Sequence, residues 1–321
     1  MERTETVSIC TGKARHMELR HLRYFLAVCE EMNITKAAEK LMIAQPPLSR
    51  QIRDLEEEVG APLFVREHHS LRLTEEGVRF RSYAHRIVTL ADRSVEDIKE
   101  MHTGLRGTVY IAEVEGKAPR LASSYISAFS EKYPDVQYSI WNGNSDEVTQ
   151  RVKNGLADVA IIMEPYDPQG LHSVPIYSEP WVAMFSSEHP LAKTKGSTIK
   201  LEMLSDHDLI IPSRGSRLQE ISDWFAPLKI TPKVKARISN ATIAYELCEQ
   251  NVGVAIYPAA AGDLIHGDRV LIKKITDPEH MASYVLIYPD NHPLSPVADK
   301  FIEFVTGSAD DTGTGEDMIG K

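Results

Sequence analysis

Gln45, Ser49, Arg50 and Arg53 stand off an apolar stripe of Leu48, Ile52, Leu55 and Val59, all at helical spacing. Their groups are those that read base edges. A guanidinium such as that of Arg50 forks onto guanine O6 and N7, the Gln45 carboxamide pairs with adenine, and the Ser49 hydroxyl reaches a base or a phosphate. Pro46 offers an apolar surface to a thymine methyl. A helix in the major groove, which is about 12 Å wide, reads with its N-terminal residues, and Gln45 and Ser49 lie near this one's start. Taken alone, these residues are better explained as a solvated polar face.

A second set of residues suits a small ligand. Gly116-Lys117, Asn144-Ser145, Ser213-Arg214 and Asn240-Ala241-Thr242 each fall where a strand pattern gives way to a helix. In a hinged α/β domain such corners point helix N-terminal amides into a cleft. Hydroxyls, amides and cations together suit a small carboxylate, with Arg214 as the bidentate clamp. Each corner is equally a cap for its own helix, at Ser145 and Asn240 above all. Glu113 and Glu115 run against an anionic ligand: they point away, or the ligand also carries a cationic group.

The elements that must place these residues are legible in outline. Leu19, Leu22, Phe25, Leu26 and Cys29 mark a first helix. Lys36–Leu41 forms a second, with Thr35 as its cap, and Pro46-Pro47 opens a third that Gly60 ends. Leu63, Phe64, Leu71 and Leu73 flank a polar tip, Glu67-His68-His69-Ser70, as in a β-hairpin. The two histidines stand near a phosphate or are merely exposed. A proline-free helix follows from Glu75 to about Gly104, and Val88, Ala91, Val95 and Ile98 form a narrow seam that a second helix would cover.

After Gly107 strands and helices alternate, as in α/β domains. Val148–Gly155 running into Ala157–Ile161 is echoed by Ala244–Asn251 running into Gly253–Ile256. Two similar halves joined by crossover strands imply a cleft between them.

The whole chain has 321 residues, 42% hydrophobic and 26% charged, with a net charge of −10. That argues against a protein coated with basic charge, though not against a DNA reader whose basic groups are local. Residues 17–75 hold eight Lys and Arg against ten Asp and Glu. The acids fall on the first helix and late in the third, and the bases on the second helix, the early third and the hairpin. One copy should therefore bind weakly, and a dimer would supply two half-sites.

Cys10, Cys29 and Cys248 make no disulfide framework or zinc spacing. No phosphate loop, metal-spaced His pair or nucleophile elbow is present, so neither an enzyme nor a cofactor is expected. No apolar run nears the ~18 residues of a membrane span, and the first sixteen residues lack the apolar core of a leader. A cytoplasmic protein is expected, with residues 1–16 a disordered extension or translation starting at Met17.

Met17–Phe25, Ile34–Leu41 and Ala44–Glu56 closely resemble the start of LysR-type transcriptional regulators. Leu63–Arg66 and Leu71–Gly77 continue the match without a gap, and a weaker resemblance runs to about Val305. Within the family the chain looks most like regulators of aromatic-compound breakdown.

The resemblance implies a multidomain α and α/β chain. Its parts are a winged helix-turn-helix at 17–75, a linker and dimerisation helix at 76–105, and a periplasmic-binding-protein-like effector domain at 106–306. That domain divides into subdomain I, 106–178 with 283–306, and subdomain II, 179–282; by composition, residues 307–321, rich in Gly, Ser, Thr and Asp with almost nothing to bury, are expected to form a disordered tail. It implies DNA contacts at Thr35, Lys36, Gln45, Pro46, Ser49, Arg50, Arg53, Arg66, His69 and Arg72. Effector contacts are implied at Gly116, Lys117, Asn144, Ser145, Ser213, Arg214 and Asn240. The partners are double-stranded DNA, a small-molecule effector, further copies in a dimer of dimers, and RNA polymerase for an activator. The rival is a small-molecule sensor that acts through protein partners without sequence-specific DNA binding.

Overall fold

Leu22, Phe25, Val28 and Cys29 bury one face of α1 (Leu19–Glu31), against Ala37 and Ala38 of α2 (Ile34–Lys40) and Leu48, Ile52 and Leu55 of α3 (Gln45–Val59). In the computed structural model, which describes residues 17–67, 70–100, 105–264, 268–290 and 293–311, the chain forms two units that divide between Glu96 and Asp97. The cap of α2 is Asn33, not Thr35: its carboxamide oxygen accepts from the Thr35 and Lys36 amides at 2.9 and 3.1 Å, which leaves Thr35 inside the first turn. Gly60, at φ +77°, ends α3 as the spacing predicts.

The antiparallel strands β1 (Phe64–Glu67) and β2 (Ser70–Leu73) pair Phe64 with Leu73. Glu56 of α3 anchors them, its carboxylate accepting from the Leu63 and Phe64 amides at 2.8 and 3.0 Å. Thr74 starts α4 (Glu75–Glu100) by accepting from the Gly77 amide. A Cβ on Gly77 would stand 2.0 Å from the Leu63 carbonyl oxygen, so only glycine allows that approach.

The apolar rows of α4 differ from the seam the spacing predicts. Val88 packs with Phe80 and Ala84 into the core of its own unit, where Phe80 meets the Phe25 ring edge-on at 5.1 Å. Val95 and Ile98 are exposed, as is a second row, Tyr83, Ile87 and Leu90. A helix that crosses a small domain spends part of its stripe on that domain, so periodicity alone does not separate the two uses.

The second unit holds two copies of one strand-helix pattern. In the first copy β3 (Gly107–Glu113), α5 (Ala118–Lys132), β4 (Val136–Asn142), α6 (Ser145–Lys153) and β5 (Val159–Met163) follow one another, with β3 parallel to both β4 and β5. Next comes the 16-residue strand β6 (Leu171–Ser186) and the short β7 (Thr198–Lys200). The second copy is β8 (Leu209–Pro212), α7 (Gly215–Phe225), β9 (Val234–Ile238), α8 (Ala241–Glu249) and β10 (Val254–Pro258), with β8 parallel to β9 and β10. It is followed by β11 (Val270–Thr276), β12 (Met281–Pro289) and α9 (Pro296–Asp311).

The strand order β4-β3-β5-β12-β6-β10-β8-β9 places β6 and β12 between the copies. Pro175 and Pro180 hide the length of β6 in the sequence. Pro175 lies opposite Val285, beside a register shift, and Pro180 lies opposite Met281, where β6 leaves β12 for β10. Both are places where a strand tolerates a missing amide.

Branched residues of β5 and β12 fill the first copy's core, with Phe129 against Phe301 and Phe304. α9 runs to Asp311, beyond residue 307, where the tail was expected to begin. Residues 1–16 and 312–321, expected to be disordered, lie outside the described residues.

Candidate nucleic-acid interface and ligand cleft

At 100° per residue, Pro46, Arg50 and Arg53 form a row opposite the buried stripe of α3. All three are exposed, Gln45 is exposed at the helix start, and Ser49 is half-buried on the flank. Thr35 and Lys36 are exposed in the first turn of α2, and Arg72 is exposed on β2. Arg66 lies on β1, but its side chain, like the whole of His69, is outside the described residues.

The cations divide by their partners. Arg20 pairs with Glu18, Arg23 with Asp92, and Lys40 with Glu30 and Glu31. Among the described residues no ion pair engages Lys36, Arg50 or Arg53. Glu56, one of the acids late in α3, is committed to the hairpin amides. A local excess of positive charge therefore faces outward from α2 and the first half of α3, in a chain that is acidic in sum.

In the second unit a cleft of about 510 Å³ lies where parallel strands end. Val114–Gly116 follow β3, and Asn142–Asp146, Pro212–Gly215 and Ile238–Ala241 run on from the last residues of β4, β8 and β9. The expected residues Gly116, Asn144, Ser145, Ser213, Arg214 and Asn240 all line it. Lys117 does not. Its ammonium stands 5.2 Å over the Tyr177 ring and 4.0 Å from Asp263.

Several expected contacts are already engaged. Asn144 caps α6 by accepting from the Asp146 and Glu147 amides, and Asn240 caps α8 through the Ile243 amide. Each cap uses the carboxamide oxygen and leaves the NH₂ as a donor. Gly116, at φ +90°, lets its loop approach Tyr284, whose hydroxyl oxygen would lie 2.9 Å from an added Cβ. Arg214 is not an empty clamp: it donates to Asp146 over 2.7 Å.

The periodicity missed the cleft's aromatic and buried members. Trp181, Tyr257 and Tyr284 line it, together with Arg217, which is 2% exposed. Arg217 donates to Glu220 and to the Glu164 carbonyl, and its guanidinium stands 5.3 Å over the Trp181 ring. Its position three residues after Arg214, on the same helical face, is the one signal in the sequence that marks it.

Beneath the cleft Tyr284 donates to Glu179, which also accepts from the Ala260 amide. Burial pushes the Glu179 carboxyl up, and those two hydrogen bonds oppose it. Glu113 is pushed up by burial, against a bond from the Asn142 side chain. Glu115 is pushed up by burial, against a bond from the Ala241 amide. Neither described cysteine suits a nucleophile: burial pushes Cys29 up to about 12 and Cys248 up to about 11.

Residues 19–78 match the family described as bacterial regulatory helix-turn-helix protein, lysR family, and residues 102–310 match the LysR substrate binding domain. An uncharacterized HTH-type transcriptional regulator of Escherichia coli (strain K12), YnfL, is 30% identical over 289 residues, 89% of this chain and 97% of that protein. The crystal structure of CbnR, a LysR family transcriptional regulator, superposes with a TM-score of 0.75 at 27% identity, over 91% of this chain and 99% of that one. Full-length CbnR complexed with its target DNA gives 0.74 at 26% identity, over 91% and 100%. With a helix-turn-helix unit, an effector-binding unit and relatives of nearly its own length, the chain belongs to the LysR family of DNA-binding transcriptional regulators and is not an enzyme.

Proposed function

We propose that the chain reads double-stranded DNA through the α2–α3 face and changes its action on a promoter when a small carboxylate-bearing effector enters the cleft. Arg50 and Gln45 read bases, Ser49 and Pro46 adjoin them, and Thr35, Lys36, Arg53, Arg66, His69 and Arg72 contact phosphates. The observation that carries this reading is the outward row of Pro46, Arg50 and Arg53, whose cations are unpaired among the described residues. The likeness to CbnR in its complex with target DNA supports it.

The cleft supports effector binding because its lining combines helix N-termini, Arg214 and the NH₂ donors of Asn144 and Asn240. The domain limits we propose are 17–75, 76–105 and 106–306, with the two halves of the last exchanging at residues 178/179 and 282/283. The exposed row Tyr83, Ile87 and Leu90 supports dimerisation through α4, and dimers pair into a tetramer. Two half-sites then offset the weak binding of one copy, and an activating tetramer contacts RNA polymerase. The site of action is the cytoplasm, where DNA and polymerase are found.

The test is selection from genomic fragments at fixed salt, with a Ser49→Ala/Arg50→Ala variant beside the wild type. A few fragments sharing a two-fold-related sequence should be enriched, and the variant should lose them. Binding of every fragment alike, or of none, would leave a sensor that acts through protein partners.

A further inference from the structure

We infer that the effector is amphoteric, an amino-acid-class molecule whose carboxylate takes Arg214 and whose protonated amine is received by Glu115 and Asp146. This rests on the reading of the cleft as the effector site.

The charged side chains lining the cleft are Glu115, Asp146, Arg214 and Arg217. Arg217 has little to offer a ligand, being buried and committed to Glu220 and the Glu164 carbonyl. Arg214 is the lining cation open to a ligand, and Asp146 holds it. On the other side stand Glu115, Asp146 and, reached by the lining residue Asn142, Glu113. Glu113 is buried, and its Oε2 has no hydrogen-bond partner among the described residues. A ligand with only negative charge would bring a further anion into a lining richer in carboxylate than in available cation, and like charges within ~4–6 Å disfavour one another.

The donors left over are as specific. Trp181 is 0% exposed, and its indole N–H has no partner among the described residues. Arg214 Nε is likewise buried without one. Both residues line the cleft, and α7 begins there with no side chain capping it. Unsatisfied buried donors of this kind call for an acceptor, and a ligand carboxylate supplies one.

The protein already makes the same exchange with itself. Asp146, in one copy of the strand-helix pattern, occupies Arg214 in the other. Glu115 lines the cleft from the loop after β3. Asp146 is 73% exposed at the rim, so it can leave Arg214 at small cost. An amino acid replaces it: the ligand carboxylate takes the guanidinium, and the ligand ammonium takes the released Asp146 together with Glu115. The net charge within the cleft does not change.

The test is calorimetric titration of the full chain with the twenty L-amino acids, each beside its deaminated carboxylate and its decarboxylated amine. At least one amino acid should bind, and removal of either charge should weaken binding by ~10-fold or more. In an Asp146→Asn/Glu115→Gln variant, which alters exposed side chains, the deaminated carboxylate should gain on the amino acid. A carboxylate that binds the wild type as tightly as its amino acid would overturn the proposal, and so would a panel in which no amino acid binds. Carboxylate-only binding that Arg214→Ala abolishes would leave the cleft as the effector site and remove only the amphoteric ligand. Binding by neither series would remove both.

Discussion

Tyr284 on β12 donates its phenolic hydrogen to Glu179 on β6 over 2.9 Å, and its oxygen accepts from the Lys117 amide at 3.3 Å. One buried phenol thus links both strands that run between the two copies to the loop after β3. Glu179 passes the link to Ala260. Any opening of the cleft must turn about these strands, so this chain of bonds sits at the pivot.

Tyr284→Phe strips one of two partners from a buried carboxylate, at a cost of about 1–3 kcal/mol. The cost depends on pH. Burial raises the folded-state pKa of Glu179 above its ordinary 4.5, and the Tyr284 bond holds it down. A raised carboxylate binds more protons folded than unfolded, so stability falls as pH rises from about 4.5 through the folded value. Without the phenol the folded value rises further and the fall deepens. Thermal melts from pH 4.5 to 8 should show the variant below wild type throughout, because the Lys117 amide also loses its acceptor, with the gap widening toward neutrality. A constant gap would refute the assignment.

Arg50→Ala and Lys36→Ala should weaken DNA binding in different ways. Losing a base-reading guanidinium costs about 1–3 kcal/mol per half-site and relaxes sequence choice. Losing a phosphate contact weakens all sequences alike and lowers the salt slope by about 1. Titrations on specific and scrambled duplexes at several salt concentrations separate the two, and equal loss on both duplexes for Arg50→Ala would show that it reads no base.

Glu56→Ala frees the Leu63 and Phe64 amides at the base of the hairpin. A loss of about 1–3 kcal/mol is expected, seen in denaturant melts and as faster hydrogen exchange at those two amides. Unchanged exchange would mean that the ring contact of Phe64 with Phe25, at 5.3 Å, holds the hairpin by itself.

Ile87→Glu with Leu90→Glu places charge on the exposed row of α4 while leaving Phe80, Ala84 and Val88 in the core. Sedimentation should show a smaller assembly, with DNA affinity reduced because two half-sites are no longer held together. An unchanged assembly would assign the row to another partner.

Local physics determined much of this protein in one dimension. The stripe Leu48, Ile52 and Leu55 marks α3 and, by exclusion, the face of Arg50 and Arg53. Gly60, Pro46-Pro47 and the repeat of helix, turn and strand before Ile161 and Ile256 need only periodicity and turn chemistry. The corners at Gly116, Asn144, Ser213 and Asn240 were legible for the same reason, since strand ends and helix starts leave signals within a few residues.

Tertiary structure decided everything that depends on partners distant in the chain. Which rows of α4 are free follows from where Phe25 and Phe80 meet, not from spacing. β6 was hidden because two prolines look like breaks until the register with β12 shows where an amide is not needed. Arg214 looked like an empty clamp because Asp146 is 68 residues away. Trp181 and Tyr284 gave no local sign of a site, since burial and long-range partners are properties of the packed interior and not of neighbouring residues.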